Sequence, residues 1–333
     1  MRIVVTGASG NIGSACLRAL TADGRHQVTG VARRRPDVPR PSPLASVTWH
    51  AADVSTDDLD SVVAGADAVV HLAWKFQPTR RPTQTWATNV IGTRRVLEAV
   101  RRRGVPVVVC ASSVAAYSPV DHDDPVDEGW ATDGASEAAY CREKAYDERV
   151  LDAFEASSPA TRVVRLRPAF VFQRSAASEQ RRIFGGALLR PRMLDRRLVP
   201  VLPVPRGLRM QAVHAGDVAR AVVAAVERPV SGPFNLAADG VLRRHELGQL
   251  MDAPTVELPA GMLRGAADLG WHARLVPVPG SLLSAFLSVP LLRTERARDE
   301  LGWVARHTAS EAVAEMLEGA AMSAGSGMPP LHP

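Results

Sequence analysis

The chain predicts an α/β fold: a doubly wound parallel sheet followed by a smaller mixed lobe. Three observations carry this. Val/Ile-rich runs recur through the first half, segments of helical period fall between them, and a glycine-spaced turn joins the first run to the first helix. The strand-like runs are 2–6 (RIVVT), 27–32 (QVTGVA), 46–50 (SVTWH), 67–73 (DAVVHLA), 105–111 (VPVVVCA) and 161–167 (TRVVRLR). Several are continuous rather than alternating, as strands covered on both faces require. Helices fit at 11–22, 57–64, 84–102 and 138–157. The third ends in Arg101–Arg103, Gly104 and Pro106, cations on a last turn with a helix-stopping glycine beyond them.

After about residue 170 the alternation weakens, and Pro and Arg rise in LLRPRMLDRRLVPVLPVPRG (188–207). Further elements are expected at 216–227, a helix that Asp217 could help to start, and at 233–237 and 308–321. The division that follows is a dinucleotide-binding domain over 1–170, a substrate lobe over 171–321 partly interleaved with it, and a flexible Gly/Pro-rich tail over 322–333.

Bulk composition narrows the function classes. In 333 residues, 46% hydrophobic and 23% charged content are those of an ordinary globular protein. The net charge of +5 is modest, and its arginines lie in scattered short clusters with only 5% aromatics, which excludes a nucleic-acid-binding face. Cys16, Cys110 and Cys141 have neither metal-ligand spacing nor an even disulfide framework, so no metal is expected. The chain opens on MRIVVTG without a charged leader and apolar signal run, so a cytoplasmic location is expected. The longest charge-free stretch, 275–292, is broken by Pro277, Pro279 and Pro290 and reads as a buried or pocket-lining segment rather than a membrane contact.

The turn VVTGASGNIGSA (4–15) places Gly7, Gly10 and Gly13 at three-residue spacing, with Ser9, Asn11 and Ile12 between them. One glycine permits a tight turn, one lets backbone approach a pyrophosphate, and one lets helix and strand pack closely. The helix N-terminus then faces the anion. At the end of the second strand a carboxylate suits a free ribose hydroxyl and an arginine suits a 2′-phosphate. Arg33 stands there, so NAD(P) is the expected cofactor, with NADP favoured.

Of the 40 basic residues 38 are arginine, and the two lysines are Lys75 and Lys144. Lys144 follows Tyr140 by four positions on a predicted helix, which puts both on one face. A nearby cation favours the phenolate and would lower the phenol's pKa. Ser112 and Ser113 end the run VVVCASS, at the carboxyl edge of a parallel strand where ligands sit in open α/β sheets. A serine there can hydrogen-bond the oxygen that a tyrosine protonates.

The ordered blocks TGASGNIGS, AADV, VVHLAW, NVIGTRRVLEA, SSVAAY, YCREKA, RLRPAFVF, AVHAGDVARAV and RARDELGW resemble the extended short-chain dehydrogenase/reductases of the NAD-dependent epimerase/dehydratase type. They are most similar to the UDP-glucose 4-epimerase-like branch. The resemblance implies a Rossmann domain. It implies Tyr140 as acid/base, Lys144 as its partner and holder of the nicotinamide ribose, and Ser113 rather than Ser112 as donor to the substrate oxygen. It implies Asp53 and Val54 beside the adenine, Leu72, Ala73 and Trp74 in the loop along the cofactor, Asn89 on a helix near it, and Pro168 and Ala169 beside the nicotinamide. It also implies a homodimer through the helices at 84–102 and 138–157. The chain departs from the family where HLAA has become HLAW and where VFQR follows the RP pair, and these departures weigh against a nucleotide sugar. The function expected is NAD(P)-dependent hydride transfer of the epimerase/dehydratase type at a carbinol or ketone carbon of a small-molecule substrate, with Tyr140 as acid/base and a nucleotide-sugar-like molecule still among the candidates. An epimerase, an NADPH-dependent reductase and a non-catalytic dinucleotide sensor are the readings left open. Arginines at 181–182, 190–197 and 206–209 could hold an anionic substrate.

Overall fold

The runs of β-branched residues form strands, and their neighbours in sequence face opposite sides of one sheet. A computed structural model describes residues 1–37, 42–77, 79–186 and 200–332. Its elements are β1 (Arg2–Thr6), α1 (Asn11–Thr21), β2 (Gln27–Ala32), β3 (Thr48–Ala51), α2 (Asp60–Val63), β4 (Ala68–His71), α3 (Pro82–Trp86), α4 (Gly92–Arg103), β5 (Val107–Ala111), α5 (Ala139–Ser157), β6 (Arg162–Pro168) and β7 (Phe170–Phe172). There follow α6 (Ala177–Gly185), β8 (Leu202–Pro205), β9 (Ala212–His214), α7 (Ala215–Glu227), β10 (Gly232–Leu236), α8 (Arg244–Met251), β11 (Thr255–Leu258), α9 (Ala260–His272), α10 (Gly280–Ser288), α11 (Glu295–Asp299) and α12 (Ala309–Ala321).

Seven strands make one parallel sheet in the order β10-β6-β5-β4-β1-β2-β3. Ile3 and Val5 of β1 pack with Leu17 and Leu20 of α1 and Val222 of α7 on one face. Val4 packs with Val96 and Val100 of α4 and Leu151 of α5 on the other. Helices on both faces are why the runs are continuously apolar. Leu17 and Leu20 are fully buried, and cutting either to Ala would cost ~2–5 kcal/mol. The order reverses at β1, which lies between β2 and β4, and the crevice above that switch point is where ligands sit in such sheets.

The differences from the expected elements are instructive. The helix expected at 84–102 runs unbroken but not uniform: α3 and α4 are joined by a wider, π-helical turn over Ala87–Ile91. Its end is as expected, with Gly104 left-handed at φ +61 after three arginines. The helix at 57–64 shrinks to the four residues of α2. The strand expected at 233–237 does not belong to the second lobe. As β10 it pairs with β6 and completes the main sheet, so the two parts interleave. The tail expected to be flexible folds back instead. Met328 and Leu331 are buried in the core beneath α1, and Arg182 donates to the carbonyls of Pro330 and His332. Among the described residues no helix is long and apolar enough to cross a membrane, and no group of His, Cys, Asp or Glu could hold a metal ion. The cysteines are buried and free.

Candidate active site

The glycine turn closes the crevice from below. Gly7 has φ +66, and a Cβ there would stand 2.6 Å from the backbone of Leu72 and Ala73. A Cβ on Gly13 would stand 2.2 Å from the Gly7 carbonyl oxygen. Gly10 differs: its Cβ would meet only that same oxygen, at 3.4 Å, so protein packing does not demand a glycine there. Gly10 is also the N-cap of α1 and supplies no side-chain cap, so the first amides of the helix are left for an anion. These features fit a dinucleotide pyrophosphate.

Gly7, Ser9, Gly10, Arg33, Asp53, Val54, Leu72, Ala73 and Trp74 share one cavity, which Lys75, Thr88, Glu179 and Pro330 also line. Asp53 accepts from the Ser55 amide at 2.9 Å and hydroxyl at 2.6 Å. Burial works to raise its carboxyl, but the Ser55 hydrogen bonds and the Arg33 charge hold it below the usual value. Three of the expected cofactor residues line neither this cavity nor the one beside it. Asn11 donates to the Val171 carbonyl at 3.0 Å and accepts from Gln173, tying the turn to β7. Gly13 is packing. Asn89 is fully buried; it accepts from the Lys75 amide at 2.6 Å and donates to the Lys75 carbonyl at 2.9 Å and to Glu143 at 2.6 Å, which fixes the loop after β4.

A second cavity, about 220 Å³, opens beside the first and shares Leu72 and Trp74 with it. Ile12, Ser113, Tyr140, Lys144, Pro168 and Ala169 line it. The Tyr140 hydroxyl donates to Ser113 Oγ at 3.2 Å, and Ser113 Oγ also accepts from the Ala115 amide at 3.1 Å. Ser112 is spent elsewhere, donating to Glu148 at 2.6 Å. Lys144 lies one turn along α5 from Tyr140. Its Nζ donates to the Ala111 carbonyl at 2.8 Å and sits 3.3 Å from the centre of the Trp74 ring, whose edge meets Tyr140.

The electrostatics differ from the expected pattern. Lys144 was expected to lower the Tyr140 pKa, but burial dominates and pushes the phenol up to about 12, against the smaller help of the Ser113 hydrogen bond. Burial also lowers Lys144 and raises Asp147, and the attraction between the two opposes both shifts.

Beneath the site lies a polar network that sequence reasoning missed. Glu148 is fully buried and accepts from Arg165 at 3.0 Å and from Arg167 at 2.8 and 2.9 Å. Burial alone would raise its carboxyl, yet Arg167 and Ser112 bring it down to about 2. Arg167 also donates to Tyr117 at 3.0 Å, and Tyr117 to Asn235 at 2.7 Å. The available signal was Arg165 and Arg167 alternating within an apolar run, VVRLRP. Nearby, His71 bridges Thr6 at 2.7 Å and Thr93 at 2.9 Å, and burial drives its pKa down to about 3.

Asp217 is structural: it accepts from the amides of Arg306 and His307 at 3.1 Å and clamps α7 to that segment. The arginines offered for an anion are partly committed. Arg209 is buried on Asp123 and the carbonyls of Val120 and His122, and Arg182 holds the tail. Residues 190–197 lie outside the described residues.

Fold and crevice together define a Rossmann-type α/β protein with a dinucleotide-type glycine turn. Residues 3–237 match the model of the NAD dependent epimerase/dehydratase family, and the chain belongs to that family. An uncharacterized protein of Mycobacterium tuberculosis is 28% identical over 315 residues, which cover 93% of this chain. The chain spans only 29% of that relative's length. A 4-hydroxy-2-methyl-3-oxo-4-farnesyl-3,4-dihydroquinoline-1-oxide ketoreductase of Stigmatella aurantiaca is 26% identical over 325 residues, covering 92% of this chain and 93% of the relative. Among solved structures, a UDP-glucose-4-epimerase of Stenotrophomonas maltophila with bound NAD and formylated UDP-arabinopyranose superposes with a TM-score of 0.72 at 21% identity, over 97% of this chain and 99% of that one.

Proposed function

We propose that this chain reduces a ketone to a carbinol, with Tyr140 as proton donor and Ser113 holding the reacting oxygen. The observation that carries the reading is the 3.2 Å hydrogen bond from Tyr140 to Ser113, at the carboxyl end of β5 inside a cavity that adjoins the glycine turn. When bound, the nicotinamide supplies the hydride. Ser113 Oγ, already an acceptor of the Tyr140 proton, turns its own hydrogen toward the substrate oxygen. As the carbonyl carbon gains the hydride, its oxygen takes the phenolic proton. The ketone is reduced and the dinucleotide oxidised.

Burial raises the Tyr140 phenol and keeps its proton on in the neutral range, the form a donor needs. An epimerase cycle must first oxidise a carbinol. The likeness to a UDP-glucose-4-epimerase supports the epimerase reading at the level of the fold, whereas the ketoreductase relative supports reduction. Lys144, steadied by Ala111 and Trp74, would hold the nicotinamide ribose. Gly7, Ser9 and Gly10 would cradle the pyrophosphate, Asp53 and Val54 would flank the adenine, and Arg33 would meet a 2′-phosphate, so NADP is favoured over NAD. Exposed Trp86, Ile91 and Tyr146, beside α4 and on α5, support the homodimer implied by the resemblance.

Replacing the phenol tests the reading. Tyr140→Phe should cut kcat by ~10²–10⁴-fold while dinucleotide affinity, read by fluorescence of the reduced cofactor, stays put. Undiminished turnover would overturn the assignment of Tyr140, and a dinucleotide-binding chain with no turnover before substitution would favour the non-catalytic sensor instead.

A further inference from the structure

The chain has seven phenylalanines, and five of them, Phe76, Phe170, Phe172, Phe184 and Phe286, line the cavity that holds Tyr140. They arrive from separate segments: the loop after β4, β7, α6 and α10. No helical or strand period of a single element explains the gathering. Their burial sets them apart. Phe154 and Phe234, which lie elsewhere, are buried in the core, whereas the five at the cavity are all part-exposed, Phe184 at 39%. Tyr140, Phe76, Phe184 and Phe286 close a circuit, with ring centres 5.1, 5.2, 6.3 and 6.3 Å apart around it. Phe170 joins at 5.0 Å from Phe286.

Aromatic rings kept partly solvated in a concave site lose free energy unless a ligand covers them, and a ring packed at their edges or faces gains beyond the area it buries. One polar handle faces the same space: Gln180 donates to the Val171 carbonyl at 2.8 Å and leaves its Oε1 buried without a partner among the described residues.

We propose that the substrate is an apolar, ring-bearing ketone seated among Phe76, Phe184 and Phe286, not a nucleotide sugar. The proposal rests on the reductase reading above for the chemistry, and on the ring circuit for the substrate class. A hydrocarbon ring enters the circuit, its carbonyl reaches Ser113 and Tyr140, and a hydroxyl or N–H on the same molecule donates to Gln180.

The test uses the full chain with NADP bound, acetylnaphthalene as the ring-bearing ketone and UDP-glucose as the competitor. Calorimetry should show saturable binding of acetylnaphthalene that UDP-glucose does not displace. Phe286→Ala and, separately, the half-exposed Phe184→Ala should each weaken it ~10-fold with NADP affinity unchanged. Absence of acetylnaphthalene binding, equal binding in both variants, or displacement by UDP-glucose overturns the substrate class. Tyr140→Phe separates the two readings. It should keep acetylnaphthalene binding and lose NADPH-dependent turnover. Binding with undiminished turnover would sink the catalytic assignment and leave the substrate class standing.

Discussion

The two ends of the crevice are made of different material. At the dinucleotide end the floor is backbone, with Gly7 and Gly13 pressed against main chain and Gly10 held open. At the other end the walls are side chains, rings sent in by four separate segments. A site built of backbone needs particular residues at fixed spacing within one short loop, so it leaves a mark that a reader of sequence can find. A site built of side chains from distant segments leaves none until the chain is folded, and it is also the end that can change its substrate without disturbing the fold.

The comparison can be broken first beneath the Tyr140 end. Glu148→Ala would leave Arg167 buried without its carboxylate, while Arg165 keeps Asp152 and Glu155, and should cost ~3–5 kcal/mol in urea unfolding. Next come the glycines. Gly13→Ala drives a methyl group into the Gly7 carbonyl and should cost ~3 kcal/mol of stability along with cofactor binding. Gly10→Ala sharpens the contrast: it should leave the melting temperature nearly unchanged yet weaken NADPH ~10-fold, because the space it fills is reserved for ligand. Arg33→Ala acts through one exposed charge and should raise the KM for NADPH ~5-fold while leaving that for NADH alone.

A pH limb probes the buried polar groups themselves. His71 has a folded pKa of about 3 against an ordinary 6.5, so the unfolded chain binds the proton more readily. Its contribution is whole above 6.5 and is lost as the pH falls toward 3. Glu148, at about 2 against 4.5, adds a second loss below 4.5. Urea midpoints measured down the acid range should fall in two stages, and His71→Asn should remove the first.

Much of the fold was legible because its signals are local. The Val runs, the glycine turn and the Arg-Arg-Arg-Gly helix end each sit within a dozen residues. That Tyr140, Lys144 and Ser113 would line one cavity was legible too, from the four-residue spacing on a helix and from a serine at a strand end. The rest depended on contacts across the chain. Tyr140 was expected to be acidified, but burial outweighs a neighbouring cation that is itself turned onto Trp74 and the Ala111 carbonyl. The tail reads as loose because Gly and Pro dominate it, yet Leu331 finds a fully buried seat. The bonds of Asn89 to Lys75 and Glu143 were not legible at all, because they join segments 14 and 54 residues apart.

The wide turn at Ala87–Ile91 has a consequence for phase. Thr85 bonds Glu143 at 2.7 Å and Thr93 bonds Asp147 at 3.3 Å, and those two acceptors lie four apart on a single stripe of α5. Eight residues of regular helix would swing the second threonine ~80° beyond two whole revolutions and point it away from that stripe. The looser winding absorbs the excess rotation. Removing one residue from it would restore an ideal spiral with the two threonines seven apart, ~20° short of two revolutions and still on that stripe, so the wide turn is how the helix carries one extra residue without losing either contact.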